Sequence, residues 1–444
     1  MIERQNIEWK QSWDDDYLKW ISGFANANGG AIYIGKDDTG NIVGITDHEK
    51  LLVKLPNKIS SKLGVYCDVN HYNENGKDFI EIITKPYNNA ISYNGKYYYR
   101  TGSTNQELRG NELTEFLLKK AGKTWDDVVE PSIDISDINP SAIEHFKKLV
   151  SNSGRLPALE KEKDIYVILD NLRLTEDGGL KRAAILLFGN DPRKFYISSF
   201  VKIGKFGESD ADLQSQEIIE GNLFELVENT IEILNKKYFT SSIIYHEAQR
   251  IEVPEYPFDS VREAFLNALV HRVYEATPIQ ISIYSDRIIF WNQGVLPDQL
   301  TFNDLRTKHA SFPKNPLIAD IFFKAGFIES WGRGTIKIIE ECKRFGLPEP
   351  RIEEVNGGVS VTLFKEIYVE SYLLKLDINE RQKVAIKSLK KTHYITNSEY
   401  RALFNITDRT ALRDIEELIK LSIFKKEGDG RSTRYVLDAN GYKP

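Results

Sequence analysis

Between Tyr17 and Ile45 the apolar residues change period, and that change constrains the fold more than any other feature of the chain. Tyr17, Trp20, Ile21 and Phe24 recur at the spacing of one helical face, whereas residues 31–38 (AIYIGKDD) alternate as a strand does. Between them stands Asn28-Gly29-Gly30, where glycine tolerates the left-handed backbone that ends a helix. A helix must stop here and give way to a strand. Thr39-Gly40-Asn41 suits a turn, after which residues 42–45 (IVGI) are expected to resume the strand. Further strands are expected at 79–84 and 96–100, and the amphipathic run 111–120 closes a first α+β domain near residue 125.

The rest of the 444 residues calls for more than one further domain, and the fold class expected is α+β multidomain. A connecting α/β region is placed at 130–258, with the apolar AAILLFG at 183–189 and a long helix at 216–237. A helix at 259–274, strands within 279–292 and a helix at 335–345 form one α/β unit over 259–366. A linker helix is expected at 367–379. Residues 380–440 hold three helical patterns and then a strand at 433–438.

Composition excludes several classes. With 41% hydrophobic and 28% charged residues the chain is that of a folded globular protein. Cys67 and Cys342 lie 275 positions apart, which leaves neither a disulfide framework nor a thiolate zinc cluster. No run approaches the roughly 18 apolar residues of a membrane span, and MIERQNIEWKQ has no secretory pattern, so no membrane partner and a reducing cytoplasm are expected. The formal charge of −6 hides a basic end: from Glu380 onward 14 Lys and Arg face 9 Asp and Glu, marking the segment most suited to phosphate.

Three acidic side chains near the front, Glu3, Glu8 and Asp38, lie close to apolar segments with Lys10 beside them. Carboxylates that converge can hold a divalent cation and lower the pKa of its bound water, although a five-residue spacing needs a bend to bring Glu3 and Glu8 together. The run E-x4-E-x-K, the blocks FANANGG and IGKDD, and YYRTGST at 98–104 resemble the Schlafen AlbA-like domain. That resemblance implies that Glu3, Glu8 and Asp38 bind Mg²⁺ or Mn²⁺ for RNA cleavage, with Lys10 and Arg100 on phosphate.

In VREAFLNALVHR, Glu263, Asn267 and His271 stand at i, i+4 and i+8 along one helix edge. WNQGVLP (291–297) then ends a strand on a glycine turn, and GFIESWGRGTIKI (326–338) puts Gly332 and Gly334 at a helix start, where backbone N–H groups can approach phosphate. Together these segments resemble the gyrase, histidine kinase and MutL (GHKL) type of ATPase. The resemblance implies ATP, with Glu263 as general base, Asn267 as Mg²⁺ ligand, Asn292 to Gly294 beside adenine, Gly332 and Gly334 on the phosphates, and Thr362 as a late strand contact. Asn292 stands where the family has Asp, and Leu296 where it has its second glycine.

The tail reads as helix, turn, helix and hairpin. Asn397 or Ser398 caps one helix and Thr407 the next, whose Leu412, Ile415, Leu418 and Ile419 face inward while Arg409 and Arg413 point out. With Lys425, Lys426, Arg431 and Arg434 on the following strands, this resembles a winged helix-turn-helix that contacts DNA. The whole is read as an ATP-binding, nucleic-acid-acting protein: a nucleotide-gated, metal-dependent endoribonuclease on tRNA-like RNA in phage defence, or a DNA-binding transcription regulator with an ATP sensor. By analogy with GHKL modules it is expected to form a homodimer or higher oligomer.

Overall fold

The computed structural model describes residues 4–159, 161–207, 209–246, 249–297, 299–329, 332–365, 378–392, 394–430 and 433–437. The chain is an α+β multidomain protein that divides into two compact units, Met1–Trp125 and Asp126–Pro444.

In the first unit, strand β1 (Ile7–Lys10) is followed by helix α1 (Leu18–Asn26) and strand β2 (Gly30–Ile34). The helix buries Ile21, Phe24 and Ala25 and ends where expected, because Gly29 adopts φ +78° and a side chain there would meet the Thr84 carbonyl oxygen at 2.8 Å. Helix α2 (His48–Leu63), which the sequence pattern did not single out, covers the sheet through Leu51, Leu55, Ile59 and Leu63, four residues apart. Strands β3 (Asp68–Glu74) and β4 (Lys77–Thr84) complete a sheet of order β1-β2-β4-β3 in which only β1 and β2 run parallel. Strands β5 (Ser92–Tyr93), β6 (Lys96–Thr101) and β7 (Thr104–Glu107) form a smaller sheet, and helix α3 (Gly110–Lys120) follows.

The strand expected at 42–45 does not form. The Asp37 carboxylate organises the turn by accepting from the backbone N–H and hydroxyl of Thr39 and from the Asn41 N–H. Ile42 then makes a single bridge to Lys36, after which the Ile45 N–H donates to the Asp78 carbonyl at 2.9 Å. The segment is drawn to β4 instead of continuing a hairpin.

The second unit opens with helices α4 (Pro140–Ser153) and α5 (Ile165–Asn171), the short strands β8 (Thr175–Glu176) and β9 (Gly179–Leu180), and helix α6 (Arg182–Phe188), buried from Ala183 to its end. Strands β10 (Val201–Phe206) and β11 (Leu213–Ile219) lead to helix α7 (Leu223–Ile233). The single helix expected over 216–237 is thus part strand and part helix. Gly221 at φ +131° breaks the chain, and Asn222 starts a new helix through a reciprocal cap with Glu225. After the hairpin of β12 (Ser241–His246) and β13 (Gln249–Pro254) come helix α8 (Phe258–His271), strands β14 (Ile279–Ile283) and β15 (Arg287–Gln293), helices α9 (Pro316–Lys324) and α10 (Gly334–Arg344), and strands β16 (Arg351–Val355) and β17 (Gly358–Phe364). A six-stranded sheet of order β11-β10-β14-β15-β17-β16 results, with α8 and α10 packed together.

Residues 367–377 of the expected linker helix lie outside the described residues. Beyond them, helices Glu380–Thr392, Asn397–Phe404 and Asp408–Lys420 and the paired strands Phe424–Glu427 and Arg434–Leu437 share a core of their own around Ile386, Leu389, Tyr400, Ile415 and Leu418. Thr396, with Glu399, caps the second helix in place of Asn397 or Ser398, and Thr407 caps the third. Leu412, expected inside, is 37% exposed, whereas Asp414 faces the core, where it accepts from Arg381 Nε at 2.8 Å. An ion pair on that side makes burying the carboxylate possible.

Candidate functional site

In the first unit Glu8 follows Ile7 on β1, a strand paired with β2, and is 1% exposed. Its Oε2 stands 2.8 Å from Arg100 Nη1 and its Oε1 2.5 Å from Lys10 Nζ. Arg100, 0% exposed on β6, also donates to the carbonyls of Arg4, Gln5 and Ile7 and lies against the Trp20 and Phe24 rings. The structure therefore brings Glu8, Lys10 and Arg100 together, and it places Arg100 where a phosphate in solvent cannot reach it. Asp38 is exposed on the turn, and its neighbour Asp37 carries the turn's hydrogen bonds, which hold the Asp37 carboxyl down at about 2, the Thr39 hydroxyl contributing most. Glu3 lies outside the described residues. Among the described residues, no trio of metal-ligating side chains that includes Glu8 or Asp38 comes within ligand distance. Glu8 thus faces two cations, Arg100 and Lys10, which already balance its charge.

The second unit does gather its expected residues. Glu263, Asn267 and His271 lie along one edge of α8, as their spacing demands, and all three line a pocket between that helix, β15, β17 and the start of α10. Burial pushes the Glu263 carboxyl up, while Asn267 hydrogen-bonds its charged form; burial also pushes His271 down to about 4, with His309 adding to the effect. Asn292 and Phe290 on β15 and Val359 and Val361 on β17 form the inner wall, with Leu296 at the rim. Gly294 stands behind it, where a side chain would meet the His271 carbonyl oxygen at 3.0 Å.

Gly332 and Gly334 close the pocket. Gly332 holds φ +61° where a Cβ would fall 2.1 Å from the His309 carbonyl oxygen, and a Cβ on Gly334 would fall 2.0 Å from Glu263 Oε1. This approach confines the enclosed space to about 130 Å³, well below the ~300–1,000 Å³ of ordinary ligand clefts. The donor set fits a nucleotide: an apolar wall with one amide for a heterocycle, an amide and a carboxylate on α8 for a Mg²⁺-bound phosphate, and the N-terminus of α10 for anionic oxygens. Bound ATP would supply a triphosphate to that end of the pocket. Pattern reading missed His309, Arg333, Glu329 and Thr335, which also line it; Arg333, just before α10, is exposed at the mouth.

Thr362 is corrected by the structure. It belongs to the opposite face of the sheet, in an open groove with Ser360, Trp291 and Tyr284, because strand alternation sends its neighbours Val361 and Leu363 to the other side. In the tail, Arg409 and Arg413 are exposed on the helix Asp408–Lys420, as are Lys425 and Lys426 on the first strand and Arg434 on the second. Arg434 is paired with Glu427 at 2.9 Å, and Arg431 lies outside the described residues.

Two parts of the chain match family models, a Schlafen AlbA_2 domain and an ATPase-like domain. Residues 3–109 match the family model described as "Schlafen, AlbA_2", and residues 276–363 match the model HATPase_c_4, described as "Putative ATP-dependent DNA helicase recG C-terminal". The second match starts beyond α8, so Glu263 and Asn267 rest on geometry. Among solved structures, the DIP2311 protein from Corynebacterium diphtheriae is 19% identical, covering 98% of this chain and 92% of that chain at a TM-score of 0.46. No curated protein matches the chain. Among the described residues no helix is long and apolar enough to cross a membrane.

Proposed function

We propose that this protein is an ATP-responsive nucleic-acid-binding regulator. In this reading the second unit binds ATP with Mg²⁺ through Glu263, Asn267 and the Gly332–Gly334 turn, and the terminal helices act as a winged helix-turn-helix on duplex DNA through Arg409 and Arg413. The observation that carries it is the Glu8 carboxylate: buried against Arg100 and Lys10, it supports a binding role for the first unit over a cleaving one. Nucleotide entry must part Gly334 from Glu263, which gives ATP a conformational lever.

The test measures fluorescence anisotropy of labelled duplex DNA with full-length protein, with and without Mg²⁺ and ATP, for the wild type and Asn267→Ala. ATP should change DNA affinity several-fold in the wild type and leave the variant unmoved. Absence of DNA binding, or Mn²⁺-dependent cleavage of tRNA that Glu8→Ala abolishes, would replace this reading with the ribonuclease.

A further inference from the structure

Away from both sites, the first unit brings together two imidazoles and a carboxylate. His48 is the first residue of α2, His71 lies on β3 and Asp78 on β4. The β3–β4 register sets Asn73 opposite Asp78 and Ile80 opposite His71, so His71 and Asp78 are diagonal neighbours on one face of the hairpin, beneath the start of α2. His71 Nε2 is 2.8 Å from Asp78 Oδ1, His48 Nδ1 is 3.7 Å from Asp78 Oδ2, and the three donor atoms all lie within 4.8 Å of one another.

We propose that His48, His71 and Asp78 form a mononuclear site for a divalent transition-metal ion, with Zn²⁺ as the best-fitting cation. Three observations converge on it. First, two ligand atoms each about 2.0–2.2 Å from an ion stand roughly 2.8–3.6 Å apart at octahedral to tetrahedral angles; the 2.8 Å His71–Asp78 hydrogen bond lies at the lower end of that range and the 3.7 Å His48–Asp78 separation just beyond its upper end. Side-chain rotation that breaks the His71–Asp78 hydrogen bond would bring both separations into that range. Second, His48 Nδ1 is a buried nitrogen with no hydrogen-bond partner, because 3.7 Å is too long for one. The two imidazole rings lie stacked and nearly parallel at 4.6 Å, so coordination in the plane of both requires one ring to turn toward the carboxylate. Third, the carboxylate is already oriented from behind: Asn73 Nδ2 donates to Asp78 Oδ1 at 2.8 Å, the kind of outer contact that aligns metal ligands.

Two neutral nitrogen donors select a borderline ion over Mg²⁺ or Ca²⁺, which favour all-oxygen shells. The side chains are 23%, 33% and 26% exposed, enough for water to complete a four-coordinate shell. Such an ion would pin the first turn of α2 to the β3–β4 hairpin. It would thereby fix one end of the connection over residues 35–47, which carries Asp37 and Asp38.

The experiment uses full-length protein freed of any purification tag and stripped with a chelator, in excess Mg²⁺ to occupy oxygen-rich sites. Zn²⁺ is titrated against a chromophoric competitor, and Co²⁺ binding is followed by visible absorption. The wild type should bind one Zn²⁺ per chain, give an intense four-coordinate Co²⁺ band and melt at higher temperature with Zn²⁺. His48→Ala and Asp78→Asn should each weaken binding more than about tenfold, with circular dichroism reporting whether each remains folded. Wild-type protein that takes up no Zn²⁺ and gives no Co²⁺ band overturns the proposal whatever the variants do. So does unchanged affinity and stoichiometry in a folded His48→Ala/His71→Ala double variant.

Discussion

Replacing Glu8 by Gln separates a structural carboxylate from a catalytic one by the sign of a stability change. Glu8 is 1% exposed and Arg100 0%, so the substitution leaves a guanidinium buried without its counter-ion. Removing one partner of such a pair costs about 3–5 kcal/mol. For a unit of this size each kcal/mol lowers the melting temperature by about 4 °C, giving a fall of roughly 12–20 °C for the first unit. Lys10, partly exposed and 2.5 Å from the same carboxylate, loses less because it can turn to water. Urea titration of the full chain, followed through the fluorescence of Trp20 and its neighbours, should show the first unit unfolding early. Arg100→Met should be destabilised comparably, and also strands the carbonyls of Arg4, Gln5 and Ile7, which Arg100 engages. The double variant Glu8→Gln/Arg100→Met should cost less than the sum of the singles by about 0.5–3 kcal/mol. A Glu8→Gln protein as stable as the wild type, or more so, would refute the reasoning, since carboxylates held for catalysis are commonly destabilising where they sit.

Two further outcomes follow from the second unit. Burial raises the Glu263 pKa, so the folded state binds its proton more tightly than the unfolded chain; that stability is present below the ordinary carboxylate pKa and is lost as pH rises through the raised value. Glu263→Gln, which cannot ionise, should therefore melt higher than the wild type near about pH 7.5 and match it in mild acid, a difference that calorimetry across pH would show and that pH-independent melting curves would refute. Arg409→Ala/Arg413→Ala should weaken duplex DNA binding and reduce the slope of log affinity against log salt by about 2, one for each phosphate that is no longer neutralised. An unchanged salt slope in anisotropy titrations would remove this helix from the DNA surface.

Local features of the fold were legible because they depend on a few consecutive residues. The change of period at Asn28–Gly30 did stop α1 and start β2, the spacing of Glu263, Asn267 and His271 did align them on α8, and Thr407 did cap its helix. The helix expected over 216–237 failed where a strand of mixed polar and apolar residues ran into a glycine, since so short a mixed stretch does not fix its own period. Leu412, expected inside, is exposed while Asp414 is buried, because an apolar stripe leaves out the possibility that Arg381 neutralises a buried carboxylate.

The chain's order of residues determined which side chains share a helix edge or a strand face, because backbone periodicity is a property of neighbours. Only the tertiary structure decided which of those faces meet. Arg100 reaches Glu8 from a separate sheet, Asp126 accepts from the N–H groups of Leu317 and Ile318 at the start of α9, and His48 arrives over His71 and Asp78 from a helix that the pattern did not reveal. Each such meeting depends on how distant segments close upon one another, and a charge or an imidazole carries no local mark of the partner it will find.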